Sequence, residues 1–154
     1  MASFYNPVQG PRIVPYLTER KASDKLPNGR PAFRVTQRFN VPDAFFPGRI
    51  HYGMDIGNYY CGDKVLAMRA GLARHLVDTS GALGIEVTHG SGWKTIIWHV
   101  ARFRVAHRSK VSKGQWIADI GSTGLDIGGC HGHVTVIDPN GKLHDPWPLL
   151  IQNQ

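Results

Sequence analysis

No apolar run in this 154-residue sequence approaches the ~20 residues that a bilayer-spanning helix needs. The N-terminal stretch MASFYNPVQGPRIVPYL also lacks the unbroken apolar core of a secretion signal, so the chain is expected to be made without one of its own. Cysteine is scarce. Cys61 and Cys130 are too few for a disulfide framework, and free thiols are the expectation, with Cys130 beside His131 not needed as a metal ligand. An HExxH helix is missing, which excludes a thermolysin-like glutamate base. Internal repeats, low-complexity tracts and recognisable nucleic-acid modules are missing too. Acidic residues are outnumbered 11 to 18 by basic ones, and a net charge of +7 draws polyanions: nucleic acid, anionic lipid or an anionic cell wall. The basic residues are scattered, with a weak cluster at Arg102, Arg104, Arg108 and Lys110.

What is present points to strands and turns. Eighteen glycines and ten prolines separate short β-branched runs, which favours an all-β, antiparallel fold over a helical one. Residues 1–32 hold five of those prolines and the polar stretch Thr18 to Lys25, and read as an irregular extension. The domain proper runs over 33–154, long enough to bury one core. Strands are expected at Phe33–Phe39, Lys64–Met68, Gly71–Val77, Ile85–His89, Trp93–Val100, Trp116–Ile120 and 131–137, with a hairpin turn at Gly90-Ser91-Gly92. In the Trp93–Val100 strand, Trp93, Thr95, Ile97 and His99 are expected to share a face.

Two clusters carry chemistry. In His131-Gly132-His133 a strand would aim both imidazoles at one site, roughly 7 Å apart. In His51-Tyr52-Gly53-Met54-Asp55 the i, i+4 spacing suits a helix face, but Gly53 and Gly57 argue for an extended segment, and His51 and Asp55 converge either way. Together the clusters offer three imidazoles and a carboxylate, and any two of those imidazoles with the carboxylate would leave a tetrahedral zinc one open position.

The order of these motifs resembles the lysostaphin-type zinc metallopeptidases, which hydrolyse the peptide part of peptidoglycan. The likeness covers about Arg34 to Pro146: HxxxD at His51 to Asp55, Gly62 to Ala67 ahead of Ala70-Gly71, and His89-Gly90-Ser91-Gly92. It continues through Trp98-His99 at a strand end, Lys113-Gly114-Gln115, Gly121-Ser122-Thr123-Gly124, and HxH at His131 to His133. The resemblance implies a duplicated-hybrid-like β domain with a groove along its sheet, and one zinc ion held by His51, Asp55 and His133. It gives His131 and His99 as catalytic histidines: His131 as general base, His99 to orient water or stabilise the oxyanion. His131 and His133 are one residue apart, so exchange of their roles stays open. The partners it implies are a peptidoglycan peptide and the anionic cell wall, with no nucleic acid, for a monomer. A compact lysin of this kind suggests a bacteriophage endolysin, or a virion-associated enzyme, acting on the wall after synthesis in the host cytoplasm. Gly132 and Val134 depart from the family's leucine and phenylalanine, and are expected to make the groove wall smaller and less aromatic. His75, His89, His107 and His144 are expected near turns without a second polar partner. Two other readings compete: a metal-free relative that binds peptidoglycan or regulates a hydrolase, and a histidine phosphocarrier of the glucose type.

Overall fold

Short runs of Val, Ile, Thr and Trp, interrupted by glycine, proline and aspartate, leave the chain little choice but to turn back on itself repeatedly. A computed structural model describes residues 34–44, 46–57, 61–62, 64–124 and 129–146. Among them lie β1 (Arg34–Gln37), β2 (Met54–Gly57), β3 (Lys64–Leu66), β4 (Gly71–Val77), β5 (Leu83–His89) and β6 (Lys94–Trp98). They are followed by β7 (Val100–Phe103), β8 (Ser109–Val111), β9 (Trp116–Ile120), β10 (His131–Ile137) and β11 (Leu143–His144). The extension assigned to residues 1–32 lies outside the described residues.

Eight strands make one sheet in the order β1-β2-β10-β6-β5-β4-β8, with β11 continuing beside β10 past the end of β2. All its pairings are antiparallel. The other three strands form a small sheet, β3-β9-β7. One face of the large sheet, with Met54, Ala73, Ile85, Val87, Ile97, Val134 and Val136, packs against Val65, Val100, Ala118 and Ile120 of the small sheet to form the core. Strand alternation therefore sends the neighbouring positions Asp55, His131, His133 and Trp98 to the opposite face.

Four expectations need correction. Cys61 and Cys130 are not free thiols but a disulfide, joining the stretch that follows β2 to the residue before β10. Closing a loop with a sequence separation of 69 removes unfolded-state freedom worth about 4 kcal/mol in the chain-entropy account. Gly132 and Val134 do not line a groove. Val134 is fully buried in the core, and a Cβ at Gly132 would meet Ile120 at 3.5 Å and Ile97 at 3.9 Å. His99 does not extend the face of Thr95 and Ile97. It takes φ +70°, separating β6 from β7 and turning its ring toward His131. The remaining histidines are not without partners. His75 is stacked on Phe103 and bonded to the Val105 carbonyl, His144 meets Asp138 at 2.8 Å, and Nδ1 of His107 accepts the His75 backbone N–H.

Candidate metal centre and its histidines

The register of three strands assembles the site. Asp55 on β2 lies directly opposite His133 on β10, and His131 opposite Gly57, so the carboxylate and both imidazoles emerge side by side. His51 arrives from the irregular segment before β2, pinned by two backbone bonds: its N–H donates to Val41 O, and its carbonyl accepts from Asn40 N–H. All three of His51, Asp55 and His133 are buried, at 3%, 7% and 6% exposure.

Their donor atoms form a small triangle. Nε2 of His51 is 3.2 Å from Nδ1 of His133, Nδ1 of His133 is 2.8 Å from Oδ1 of Asp55, and Oδ1 is 3.3 Å from Nε2 of His51. Tetrahedral ligands at the ~2.0–2.1 Å of zinc–nitrogen and zinc–oxygen bonds stand roughly 3.3–3.4 Å apart. Two edges match that spacing and the third is somewhat short. A second observation agrees. With Nδ1 turned to the triangle, the buried Nε2 of His133 has no hydrogen-bond partner among the described residues. An orphaned buried N–H costs about 1–3 kcal/mol, and a ligand bond at Nδ1 would offset that cost. The donor set, the spacing and the orphaned atom all fit a zinc ion.

The surroundings orient each donor. Nδ1 of His51 donates to the Arg38 carbonyl at 2.8 Å, which leaves the Nε2 lone pair for the triangle. Gln37 donates from Nε2 to Oδ2 of Asp55 at 3.2 Å while its own Oε1 accepts from Ala44 N–H, so the carboxylate turns Oδ1 toward the histidines. Gly53 makes room for the His133 ring: a Cβ there would lie 2.4 Å from Nε2 and 2.5 Å from the Val134 carbonyl. Burial pushes the Asp55 carboxyl upward, but the adjoining His133 and His51 rings, when they carry a proton toward it, outweigh burial and hold the group well below the usual carboxylate range. Burial holds His133 below its ordinary value against the pull of Asp55, and so favours the neutral ring that a ligand must be. For His51 burial lowers the pKa, and the bonds to Asp55 and Arg38 raise it further than burial lowers it.

His131 and His99 flank the triangle. His131 is half-buried, with Nε2 3.7 Å from Oδ1 of Asp55 and its ring 5.2 Å from that of His99. The two are built alike. Nδ1 of His131 donates to the Gly129 carbonyl at 2.9 Å, and Nδ1 of His99 to the Thr123 carbonyl at 2.8 Å, so each ring carries its lone pair on Nε2. Thr123 does more than accept. Its hydroxyl donates to Val100 O and accepts from Leu83 N–H, tying the Gly121–Gly124 loop to β7, which begins right after His99, and to the start of β5. That bracing offsets the roughly 1–2 kcal/mol that a left-handed backbone costs a histidine.

All five residues singled out in the sequence thus meet at one site, three in the triangle and two beside it. Gln37, Gly53 and Thr123 were not anticipated as supports. His89 does not reach the site: it lies at the hairpin end of β5, bonded to Ala70 O and Thr95 Oγ1.

Residues 49–146 match the model of Peptidase family M23. Among solved structures, the fold is similar to the catalytic domain of the antimicrobial peptidase lysostaphin from Staphylococcus simulans. The TM-score is 0.67 at 21% identity, over 77% of this chain and 92% of that one. A zinc-containing peptidase from Vibrio cholerae is 28% identical over 74% of this chain, with a TM-score of 0.61; the match spans 36% of that longer chain. The fold also resembles that of the SpoIIQ–SpoIIIAH pore-forming complex, with a TM-score of 0.63 at 19% identity, over 77% of this chain and 84% of that one. A search of curated proteins gave no match.

Proposed function

Because this chain belongs to Peptidase family M23, we propose that it is a zinc-dependent endopeptidase that cuts peptide bonds in the stems or cross-bridges of bacterial peptidoglycan. The observation that carries the reading is the triangle of His51 Nε2, Asp55 Oδ1 and His133 Nδ1, with edges of 2.8–3.3 Å. These three residues would hold the metal, and His131 and His99 would act on the substrate. When bound, zinc supplies Lewis acidity: it polarises the scissile carbonyl and makes water more acidic.

The protein's own groups do the rest. His131 presents an unprotonated Nε2 at the open side of the triangle, fixed there by the bond from Nδ1 to Gly129. It takes a proton from the attacking water as the oxygen–carbon bond forms, then returns it to the leaving amine nitrogen as the carbon–nitrogen bond breaks. His99, braced through Thr123, presents its Nε2 side to the same space; once protonated it donates to the developing oxyanion. Asp55 keeps its charge throughout and offsets part of the metal's.

The place of action we infer is the cell wall, outside the cytoplasm. A disulfide beside the site suits an oxidising compartment, and a +7 chain suits an anionic polymer. A bacteriophage lysin, released or carried on the virion, would act in that place. The likeness to a pore-forming complex favours a second reading, a relative that binds a partner without hydrolysis. Digestion of purified peptidoglycans with glycine cross-bridges and with direct cross-links, followed by mass analysis of the fragments, separates the two. New amino termini that appear with zinc and vanish with chelator support the peptidase. Stoichiometric zinc without any cleavage overturns it.

A further inference from the structure

The geometry points to Trp98 as the residue that sets what this groove accepts: its indole is a floor that selects glycine or alanine at the substrate residue lying on it beside the scissile bond. This inference rests on the peptidase reading above and gives it a substrate class.

Trp98 closes β6, where it is the register partner of His133 on β10 and of Gly84 on β5. These three residues therefore form one row across the outer face of the sheet, starting at a proposed metal ligand. Gly84 is where the indole lies. A Cβ on Gly84 would meet Cε3 of Trp98 at 2.7 Å, Cζ3 at 2.8 Å and Cδ2 at 3.0 Å. All three nearest atoms belong to the six-membered ring, and none to backbone. The missing side chain of Gly84 is thus the space that the indole fills, and the ring lies along the sheet rather than standing up from it. Trp98 remains half-buried, so part of the ring still faces outward.

Neighbouring strands are ~4.8 Å apart, which puts this floor within about two residues of a peptide bond held at the triangle. A substrate lying extended across the strands directs alternate side chains down onto the sheet. Over Gly84 alone, a downward side chain would find a hole; over the indole it finds a flat apolar surface. A Cα hydrogen or a methyl group packs well on a π face, whereas a branched side chain would have to lift the peptide away from the metal. Peptidoglycan stems and cross-bridges supply glycine and alanine in those positions.

The test begins with the two purified peptidoglycans, which locate the bond cut. Synthetic peptides spanning that bond are then varied through Gly, Ala, Val and Leu on each side. At one position the zinc-loaded wild type should prefer Ala over Leu by at least about twentyfold in kcat/KM, within the range that a steric pocket delivers. In Trp98→Ala that ratio should fall below about threefold with zinc content unchanged. Gly84→Ala should act in the opposite sense, tilting the indole into the groove and raising KM for the small substrates about tenfold. The double variant should behave like Trp98→Ala alone, because the added methyl does harm only through the ring. An unchanged Ala-to-Leu ratio in an active Trp98→Ala enzyme overturns the inference, as does a Gly84→Ala defect that persists without the indole. Should Trp98→Ala fail to fold, Trp98→Met carries the same comparison with a narrower, flexible side chain. Absence of any cleavage by zinc-loaded wild type marks failure of the peptidase reading itself and removes this one with it.

Discussion

Two histidines on the same sheet, His89 and His133, are nearly equal in burial, at 3% and 6% exposure, and burial depresses the pKa of both. Their surroundings differ in kind. His89 has a partner at each ring nitrogen: Nδ1 donates to Ala70 O at 3.0 Å, and Nε2 accepts from the Thr95 hydroxyl at 3.0 Å. Its neutral form is complete. His133 crowds one nitrogen against two other would-be ligand atoms and leaves the other without a hydrogen-bond partner among the described residues. A ring that is satisfied twice is holding strands together. A ring that is oversupplied at Nδ1 and starved at Nε2 is poised for something the protein itself does not contain, and the difference distinguishes a structural histidine from a metal ligand better than burial does.

The largest effect expected from breaking that contrast is at Asp55. Asp55→Ala removes the anionic corner of the triangle, and three protein ligands leave no redundancy. Zinc, measured by metal analysis of the purified protein, should fall from one equivalent to a small fraction. Peptidoglycan cleavage should drop by at least about 10³-fold, the scale on which loss of a preorganised charge-stabilising group is felt. His89→Gln should keep the full equivalent. Stoichiometric zinc in Asp55→Ala would dissolve the contrast between the two histidines.

Next in size is His131, which should separate metal binding from turnover. His131→Ala should retain zinc while losing ~10²–10⁴-fold in rate, about 3–5 kcal/mol of barrier. His99→Ala should also retain zinc, with a smaller loss and less change in the acid limb of the pH–rate profile. Because a single residue, Gly132, separates His131 from His133, metal analysis of both single variants is the sharpest control. Zinc lost in His131→Ala but kept in His133→Ala would exchange their roles.

How far the chain announced this arrangement depends on the range of the interaction. Alternation along 131–137 and the five-residue span from His51 to Asp55 are local patterns, and both survive intact because β2 and β10 are neighbours in register. The same alternation already implied that Gly132 and Val134 face away from the histidines; placing them in the groove ignored the period of two. Other features depend on contacts the sequence does not display. Nothing in two cysteines 69 apart reveals that their loops meet. Gln37 supports Asp55 only because β1 pairs with β2 at that register, across a bulge. The left-handed turn at His99 breaks a run that reads as one strand from Trp93 to Val100, and its cause is remote: the Thr123 carbonyl and hydroxyl. The Gly121–Gly124 motif was visible; its work as a brace was not.

Gln37 offers a smaller test of the same contrast, since it steadies the triangle without belonging to it. Gln37→Ala frees Oδ2 of Asp55 to rotate, and loss of such an outer partner typically weakens metal binding ~10–100-fold. Competition with a chromophoric chelator should show that weakening, with thermal stability changed little. A zinc affinity equal to wild type would mean that strand register alone fixes the carboxylate.

The smallest effect, and the one that compares the two histidines most directly, lies in pH. The folded-state pKa of His89 is lowered, chiefly by burial and with a further push from the Arg69 charge, against the raising effect of the Ala70 carbonyl. Below the unfolded value of about 6.5 the unfolded chain takes up a proton that the folded chain refuses. The stability His89 contributes is therefore fully present above that value, declines as pH falls through it, and levels off only below the folded-state pKa. His133 carries a shift of the same sign, so without metal the two add. Zinc should part them. A metal at Nδ1 keeps His133 unprotonated to lower pH and makes folding depend on zinc concentration, while His89, bonded only to protein, is unaffected. Urea midpoints of wild type and His89→Gln between pH 5 and 8, with and without zinc, measure this. The wild-type advantage should shrink on acidification by the same amount in both series, while the zinc-dependent part appears equally in both proteins. A His89 contribution that changed with zinc would mean that the hairpin end of the sheet and the metal end are coupled, and that the two histidines are not independent.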